Sequence, residues 1–356
     1  MTDSTAQAIF PAADWETASP ESQGVNPQRL DEAIARLDAF TLDEGVTQTM
    51  VIRHGRLLWT GPDIDNLHPV WSCSKSFTSA CLGLLVDDGA VDLDEPVANH
   101  LPALAEHYPT ATFRHFASFT VGYAHEPVDV DGQPAWPFTP AEPLFAPGER
   151  YLYGMAPDML AYVLTRIAGE PLAELFRRRI ARPIGMPDDQ WAWGDWGVID
   201  GLRINGGSGC FAKGIWITAR QMARMGWLFV NRGRWGDRHL LSEDYVDQAT
   251  RPQSTPDTPP HDPDAWYKRL PGSYGLNCWV NGIAPDGRRQ WPAAPIATSA
   301  IQGNNNNICF VIPDWDMVLV RLGTDGIIET DLYDGVFEIL REAISLNGEY
   351  RISNGE

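Results

Sequence analysis

Lysine is almost missing from this sequence. Of 27 basic residues only Lys75, Lys213 and Lys268 are lysines, and the rest are arginines. Arginine keeps its proton in a protein, whereas a desolvated lysine can give it up. In a chain that writes charge as arginine, a lysine kept at position 75 is therefore a candidate for proton chemistry. Positive charge as a whole is scarce too: 47 acidic residues leave a net charge of −20. That balance argues against nucleic acid and against anionic membrane surfaces as partners. No apolar run approaches the roughly 20 residues of a membrane span. The first residues, MTDSTAQAIFPAADWE, lack the basic start and apolar centre of a signal peptide, so a cytoplasmic location is expected. Cysteine is sparse and unpaired. Cys73, Cys81, Cys210, Cys278 and Cys309 form no CxxC spacing, which predicts free thiols rather than disulfides or a zinc site. The eight histidines contain no HExxH and no paired spacing, so His100, His107, His115 and His125 are expected to be solvated or structural. No metal and no cofactor is expected.

Two motifs that suggest other enzymes also fall short. GSGCFA (207–212) fits the dinucleotide pattern G-x-G-x-x-A, but no clear strand precedes it in the sequence. GGSGC misses the last glycine of the G-x-S-x-G elbow, which argues against an α/β-hydrolase.

The chain has 356 residues, 44% of them hydrophobic, enough for one large domain or two smaller ones around a sizeable core. A helix with Leu30, Ile34 and Leu37 on one face is followed by the hairpin TQTMVIRHGRLLWTG, turning at His54-Gly55. Helix patterns recur at 157–169 and 171–185, broken by Pro-rich connections, and at 217–236, where Gly233 closes the helix. ICFVIPDWDMVLVRLG (308–323) predicts two strands around a PDWD turn, and 328–346 predicts a closing helix. Strands gather at both chain ends and helices between them. The expectation is an antiparallel sheet built by the two ends, with a mainly helical section inserted. The Pro-rich segments 251–272 and 284–298 read as long surface loops of the kind that carry specificity. Most of the 14 tryptophans are expected in the core, with Trp266, Trp279 or Trp291 the candidates to line an aromatic cleft.

WSCSKSFTSACLGLLVDDG (71–89) is the most informative stretch. Phe77, Ala80, Cys81, Leu84 and Leu85 mark a buried helix face, yet Lys75 stands near its start, where an ammonium is costly unless paired or deprotonated. Ser72 lies one helical step before Lys75, so both side chains project to one face. Near a helix start, free N–H groups and the positive dipole end surround Ser72. There a deprotonated Lys75 could take the hydroxyl proton of Ser72, the activation that a serine nucleophile needs. The plain alternative is that Ser72 caps the helix and Lys75 points to water.

Ser-x-x-Lys is the nucleophile motif of β-lactamases and penicillin-binding proteins. SCSKSFTSACLGLLVDDGAVDLDEPV resembles the corresponding segment of the class C β-lactamase-related serine hydrolases, which include esterases and 6-aminohexanoate-dimer hydrolase. APGERYLYGMAPDMLAYVLTRIAG is similar to the family's stretch around its catalytic tyrosine. NGGSGCFAKGIWITARQMARMGWLFVNRGRWGDRHLLSEDYVDQAT resembles its glycine loop and following helix. SYGLNCWV and the 300–323 hairpin match in pattern too, so the resemblance spans most of the chain in the expected order. It implies an α+β fold of the β-lactamase/penicillin-binding-protein type, an antiparallel sheet flanked by helices. Residues 1–356 would form one catalytic unit, with an α/β subdomain at about 26–75 plus 205–356 and a helical subdomain at about 76–204.

The resemblance also assigns roles. Ser72 would be the nucleophile, Lys75 its base, and Tyr153 a general acid/base. Tyr151 is the competing position in the same YLY, and the register from Pro147-Gly148 favours Tyr153. The family's Lys-Thr-Gly falls on Ile301-Gln302-Gly303, with the N–H groups of Ser72 and Asn304 as oxyanion donors. Met155, Ile301, Gln302, Gly303, Trp266 and Trp279 are the substrate-binding candidates. Two departures stand out: the family's Tyr-Ser-Asn is Tyr153-Gly154-Met155, and the cation of Lys-Thr-Gly is Ile301. Both point away from a β-lactam carboxylate and toward an uncharged ester or amide. The run Asn304–Asn307 either lines the pocket or forms a turn. The expected function is a serine hydrolase acting on a small ester or amide through an acyl-enzyme. A β-lactamase or D-alanyl-D-alanine peptidase is one alternative, and a non-catalytic ligand-binding protein on the same scaffold is another. The sequence leaves the oligomeric state open.

Overall fold

The computed structural model describes residues 8–39, 41–125, 136–326 and 330–345. In chain order the strands are β1 (Gln48–Arg53), β2 (Arg56–Thr60), β3 (His68–Pro69), β4 (Trp191–Trp193), β5 (Asp195–Ile199), β6 (Leu202–Asn205), β7 (Ile215–Ile217), β8 (Arg234–Trp235), β9 (Arg238–His239), β10 (Trp279–Val280), β11 (Ser299–Gly303), β12 (Asn307–Ile312) and β13 (Met317–Leu322). The helices are α1 (Pro27–Asp38), α2 (Ser74–Asp87), α3 (Phe113–Ala117), α4 (Ala156–Ala168), α5 (Leu172–Phe176), α6 (Ala219–Val230), α7 (Glu243–Ala249) and α8 (Thr330–Ser345).

The central sheet runs β10-β11-β12-β13-β1-β2. Every pairing in it is antiparallel, and β1 meets β13 from Gln48↔Leu322 to Arg53↔Met317. The ends of the chain thus build one sheet, as the distribution of strand patterns predicts. The α+β fold class expected from the sequence is the one observed.

Strand periodicity accounts for the burial of both faces. On β12 the Phe310 ring packs against Tyr333 and Phe337 of α8, each 4.8 Å away between centroids. The next residue, Cys309, turns to the opposite face, where its thiol reaches the Met222 carbonyl on α6 at 3.7 Å. The hairpin turn between β1 and β2 lies at His54 (φ 51°) and Gly55 (φ 74°), the positive pair that a tight twisted hairpin needs.

Three local details differ from the sequence reading. The helix predicted within 217–236 ends at Val230. Gly233 (φ 83°) closes it as expected, its N–H donating to the Leu228 oxygen at 2.9 Å, before the remaining residues form the small β8–β9 hairpin. The helix predicted at 171–185 is α5 followed by a wider π turn over Arg177–Ala181. A second sheet, β3-β7-β4, has strands of two or three residues, too short to leave a periodic signature.

Candidate active site

Residues 71–73 form a single 3₁₀ turn that runs straight into α2. The turn keeps Ser72 and Lys75 in helical spacing, and Lys75 Nζ lies 2.8 Å from Ser72 Oγ. Lys75 is only 2% exposed, and Ser72 makes no cap of α2. The capping alternative is therefore excluded. A second contact holds the amine: Nζ donates to the main-chain oxygen of Ser208 at 2.6 Å. A carbonyl can only accept, so one N–H of Lys75 is committed there and the remaining valences face Ser72. Ser208 was not singled out by the sequence, because the contact joins residues 133 apart.

The backbone at Ser72 is gripped from two sides. Trp71 has φ 45°, a left-handed conformation that is strained for a bulky residue. A Cβ on Gly209 would lie 1.9 Å from the Trp71 carbonyl oxygen. A Cβ on Gly303 would lie 2.2 Å from the Val70 oxygen and 3.0 Å from the Ser72 nitrogen. Only glycine allows either approach. Ser74 locks the turn from within, its hydroxyl donating to the Trp71 oxygen at 2.7 Å and accepting from the Ile215 N–H at 2.7 Å.

Ser72 opens into a cavity of about 670 Å³. Its wall includes Trp71, Tyr153, Cys210, Trp266, Trp279, Gln302, Gly303 and Asn304. The Tyr153 ring centroid lies 4.8 Å from Lys75 Nζ. Phe119 (4.4 Å) and Trp266 (4.9 Å) hold that ring in place. Tyr151, the competing tyrosine, is fully buried among Phe119, Tyr267 and Tyr274, away from the cavity wall. Trp266, 64% exposed, forms the rim, whereas Trp279 is buried in the wall.

Three expected residues are not brought to the cavity. Ile301 is 1% exposed and belongs to the hydrophobic core, because alternation along β11 turns it away from the wall that Gln302 forms. Met155 caps the start of α4 and does not line the cavity. Trp291 is buried against Phe310, ring centroids 5.0 Å apart.

The asparagine run combines both roles left open by the sequence. Asn305 (φ 57°) and Asn306 (φ 58°) are the two left-handed residues of the β11–β12 turn, which asparagine tolerates well. Asn304 and Asn305 line the cavity, while the Asn307 side chain donates to the Asn304 and Gly323 oxygens at 2.7 and 2.8 Å. Arg321, fully buried, donates to the Asn305 oxygen at 2.8 Å and pairs with Asp325 at 2.9 Å. The two Pro-rich loops also meet here. Arg269 and Gln290 reach the cavity wall, and Arg269 pairs with Asp286 at 3.2 Å. Neither Arg321 nor Arg269 lies in a local pattern, so nothing in the sequence marks them.

The cysteines and three of the histidines singled out in the sequence have ordinary structural roles. Burial pushes the thiols of Cys73, Cys81, Cys278 and Cys309 up, and Cys210 is a free, half-buried thiol on the cavity wall. His100 pairs with Glu95 at 2.9 Å, His107 with Glu142 at 3.2 Å, and His115 completes a capping box with Thr112. Among the described residues no group of three or more His, Cys, Asp or Glu side chains could hold a metal ion. The GSGCFA segment does follow a strand, β6, but leads into a 3₁₀ turn rather than a helix, so it lacks the context of a dinucleotide site. No helix among the described residues is long and apolar enough to cross a membrane.

Known proteins place this geometry in context. The model of the Beta-lactamase family matches residues 42–323. The D-alanyl-D-alanine-carboxypeptidase/endopeptidase AmpH of Escherichia coli (strain K12) is 33% identical over 144 residues, 36% of this chain and 37% of that protein. Esterase EstB of Burkholderia gladioli is 27% identical over 198 residues, 43% of this chain and 50% of its own length. The matched stretch therefore spans half or less of either relative. A penicillin-binding protein homologue from Caulobacter crescentus shares the fold with a TM-score of 0.67 at 16% identity, covering 90% of this chain and 99% of that one. A family VIII carboxylesterase does so with a TM-score of 0.65 at 14% identity, covering 90% and 98%. The family match runs through the Ser72 turn, Tyr153 and the Asn304 strand alike, and this chain belongs to the beta-lactamase family.

Proposed function

We propose that the protein is a serine hydrolase that cleaves a small ester or amide through an acyl-enzyme on Ser72. The contact of 2.8 Å between Lys75 Nζ and Ser72 Oγ, made by a buried lysine, carries this reading. In the first half-reaction the Ser72 oxygen bonds to the substrate carbonyl carbon as its proton passes to Lys75. The oxyanion rests on the N–H groups of Ser72 and Asn304, a pair of donors that can supply several kcal/mol of transition-state stabilisation. Tyr153 relays that proton from Lys75 to the leaving group, whose bond to the carbonyl carbon then breaks, leaving Lys75 and Tyr153 in their starting protonation states. Water reverses the sequence and frees the acid. A cytoplasmic setting, consistent with five free thiols, is part of the same proposal.

The aromatic wall and the burial of Ile301 favour an uncharged acyl group over a β-lactam. A fluorophosphonate probe should label the protein at Ser72, located by peptide mass spectrometry, and nitrophenyl esters should turn over faster than nitrocefin. An unlabelled protein would be a binder on this scaffold. Nitrocefin hydrolysis as fast as ester hydrolysis would instead favour the β-lactamase or peptidase alternative, to which the resemblance to the peptidase AmpH lends support.

Gly303 supplies a further test. A methyl group there has no room against the Val70 carbonyl, so Gly303→Ala must push β11 away from the Ser72 turn. A displacement near 1 Å in such a site costs on the order of 10²-fold in rate. Ester turnover should fall by about that factor, with a lower melting temperature.

A further inference from the structure

We infer that Asp158 is a positioning and charge-balancing residue for Lys75, acting through the Ser208 loop. The inference rests on the acyl-transfer reading above and adds to it a residue outside the motifs that suggested it. Asp158 lies in the first turn of α4 and is fully buried. Its Oδ1 accepts from the Gly207 N–H at 2.9 Å, the Ser208 N–H at 3.3 Å and the Trp196 indole N–H at 3.0 Å. All three donors suit a charged oxygen at Oδ1, while the buried Oδ2 has no hydrogen-bond partner among the described residues. The Ser208 residue so held presents its own carbonyl to Lys75 Nζ at 2.6 Å. One residue therefore links the carboxylate, on its amide side, to the amine, on its carbonyl side.

The loop is built for this approach. A Cβ on Gly207 would lie 1.9 Å from the Pro157 oxygen, so only glycine lets the loop sit against the start of α4. The Thr78 hydroxyl of α2 donates to the Gly207 oxygen at 3.2 Å and ties the loop to the nucleophile's helix. Burying a carboxylate is expensive, and its retention here calls for a counterpart. Burial pushes the Asp158 carboxyl up, while hydrogen bonds from Ser208 and Trp196 and the charge of Lys75 pull it back down. That attraction is mutual, since a carboxylate lowers the electrostatic energy of an ammonium held near it. The other titratable groups near the pair are Cys73, Tyr153, Tyr123 and Lys213, the last with its ammonium 5.6 Å from the Trp196 ring. Asp158 is the carboxylate that interacts with Lys75 from this side.

The proton transfer from Ser72 to Lys75 creates an ammonium in a dry site, and a fixed carboxylate stabilises it as it forms. Asp158→Asn keeps the size and an oxygen for the same donors but removes the charge. For this variant kcat/KM toward a nitrophenyl ester should fall at least about ten-fold. The acidic limb of its pH profile should move to lower pH, because an amine without its counter-charge releases its proton more readily. KM should change little, since Asp158 does not line the cavity. Trp196→Phe, which removes one donor from the carboxylate, should shift the limb in the same direction by less, and it serves if the first variant does not fold. A folded Asp158→Asn enzyme with a wild-type profile would overturn the inference. So would a loss of rate with an unmoved acidic limb, which marks a merely structural prop. Fluorophosphonate labelling of the wild type separates the two levels: no label defeats the acyl-enzyme reading itself, whereas label with an unchanged variant defeats only the role of Asp158.

Discussion

Replacing Ser72 by alanine should abolish ester turnover while leaving the protein folded. The substitution removes the one oxygen that is both open to the cavity and within 2.8 Å of a buried amine. Deleting the nucleophile of a serine hydrolase costs on the order of 10⁶-fold in kcat, leaving only what binding and the oxyanion donors supply. The structural cost is small. One hydrogen bond of about 1 kcal/mol is lost, and Lys75 keeps its contact with Ser208. A circular-dichroism melt near that of the wild type, together with loss of fluorophosphonate labelling, is the expected pair of results. Full residual turnover would remove Ser72 from the chemistry.

Lys75→Met should have the second-largest effect. Methionine fills much of the same volume without a proton acceptor, so attack by Ser72 loses its base. General acid–base groups contribute about 10²- to 10⁴-fold, and a fall in kcat/KM within that range is expected. Stability should respond in two opposing ways. The Ser208 oxygen loses its donor, at about 1–3 kcal/mol, but the site no longer has to hold a desolvated amine. Because the same substitution strips the buried Asp158 carboxylate of its counter-charge, the balance is a net loss and the melting temperature should fall. The double variant Ser72→Ala/Lys75→Met should be no slower than Ser72→Ala alone, because residues that act as a unit are not additive. An additive loss would mean that the lysine works on something other than this serine.

The sequence revealed those parts of the site that lie along a continuous stretch of chain. Ser72 and Lys75 share one helical face, which their spacing suggests, whereas Gln302, Gly303 and Asn304, at one strand end, are reached through the resemblance to the family. Proximity in sequence also misled. Ile301 adjoins Gln302, yet a strand sends neighbours to opposite faces and Ile301 enters the core. Trp291 lies in a loop that reaches the cavity through Gln290 but is itself buried under the sheet. What the sequence could not show is the support around the site. Ser208, Asp158, Arg269 and Arg321 act through contacts with distant residues, and no local pattern distinguishes such an arginine or aspartate from a surface one. The fold followed the same rule: long amphipathic elements such as α1, β12 and β13 were legible, and the two-residue strands of the small sheet were not.

The pairing of β1 with β13 bears on how the molecule comes into being. Cys73, beside the nucleophile, touches Ile301 across 228 residues of chain, and the sheet is complete only when β13 docks on β1. Contacts of such long range are slow to form. During translation, at about 5–20 residues per second, Ser72 and Lys75 leave the ribosome well before the strand that carries Asn304. For that interval the nascent polypeptide holds the proposed nucleophile without the Asn304 amide, the second of the two proposed oxyanion donors. On the proposed mechanism activity waits for the last strands, so a truncated product that ends before β11 should be inert rather than weakly active.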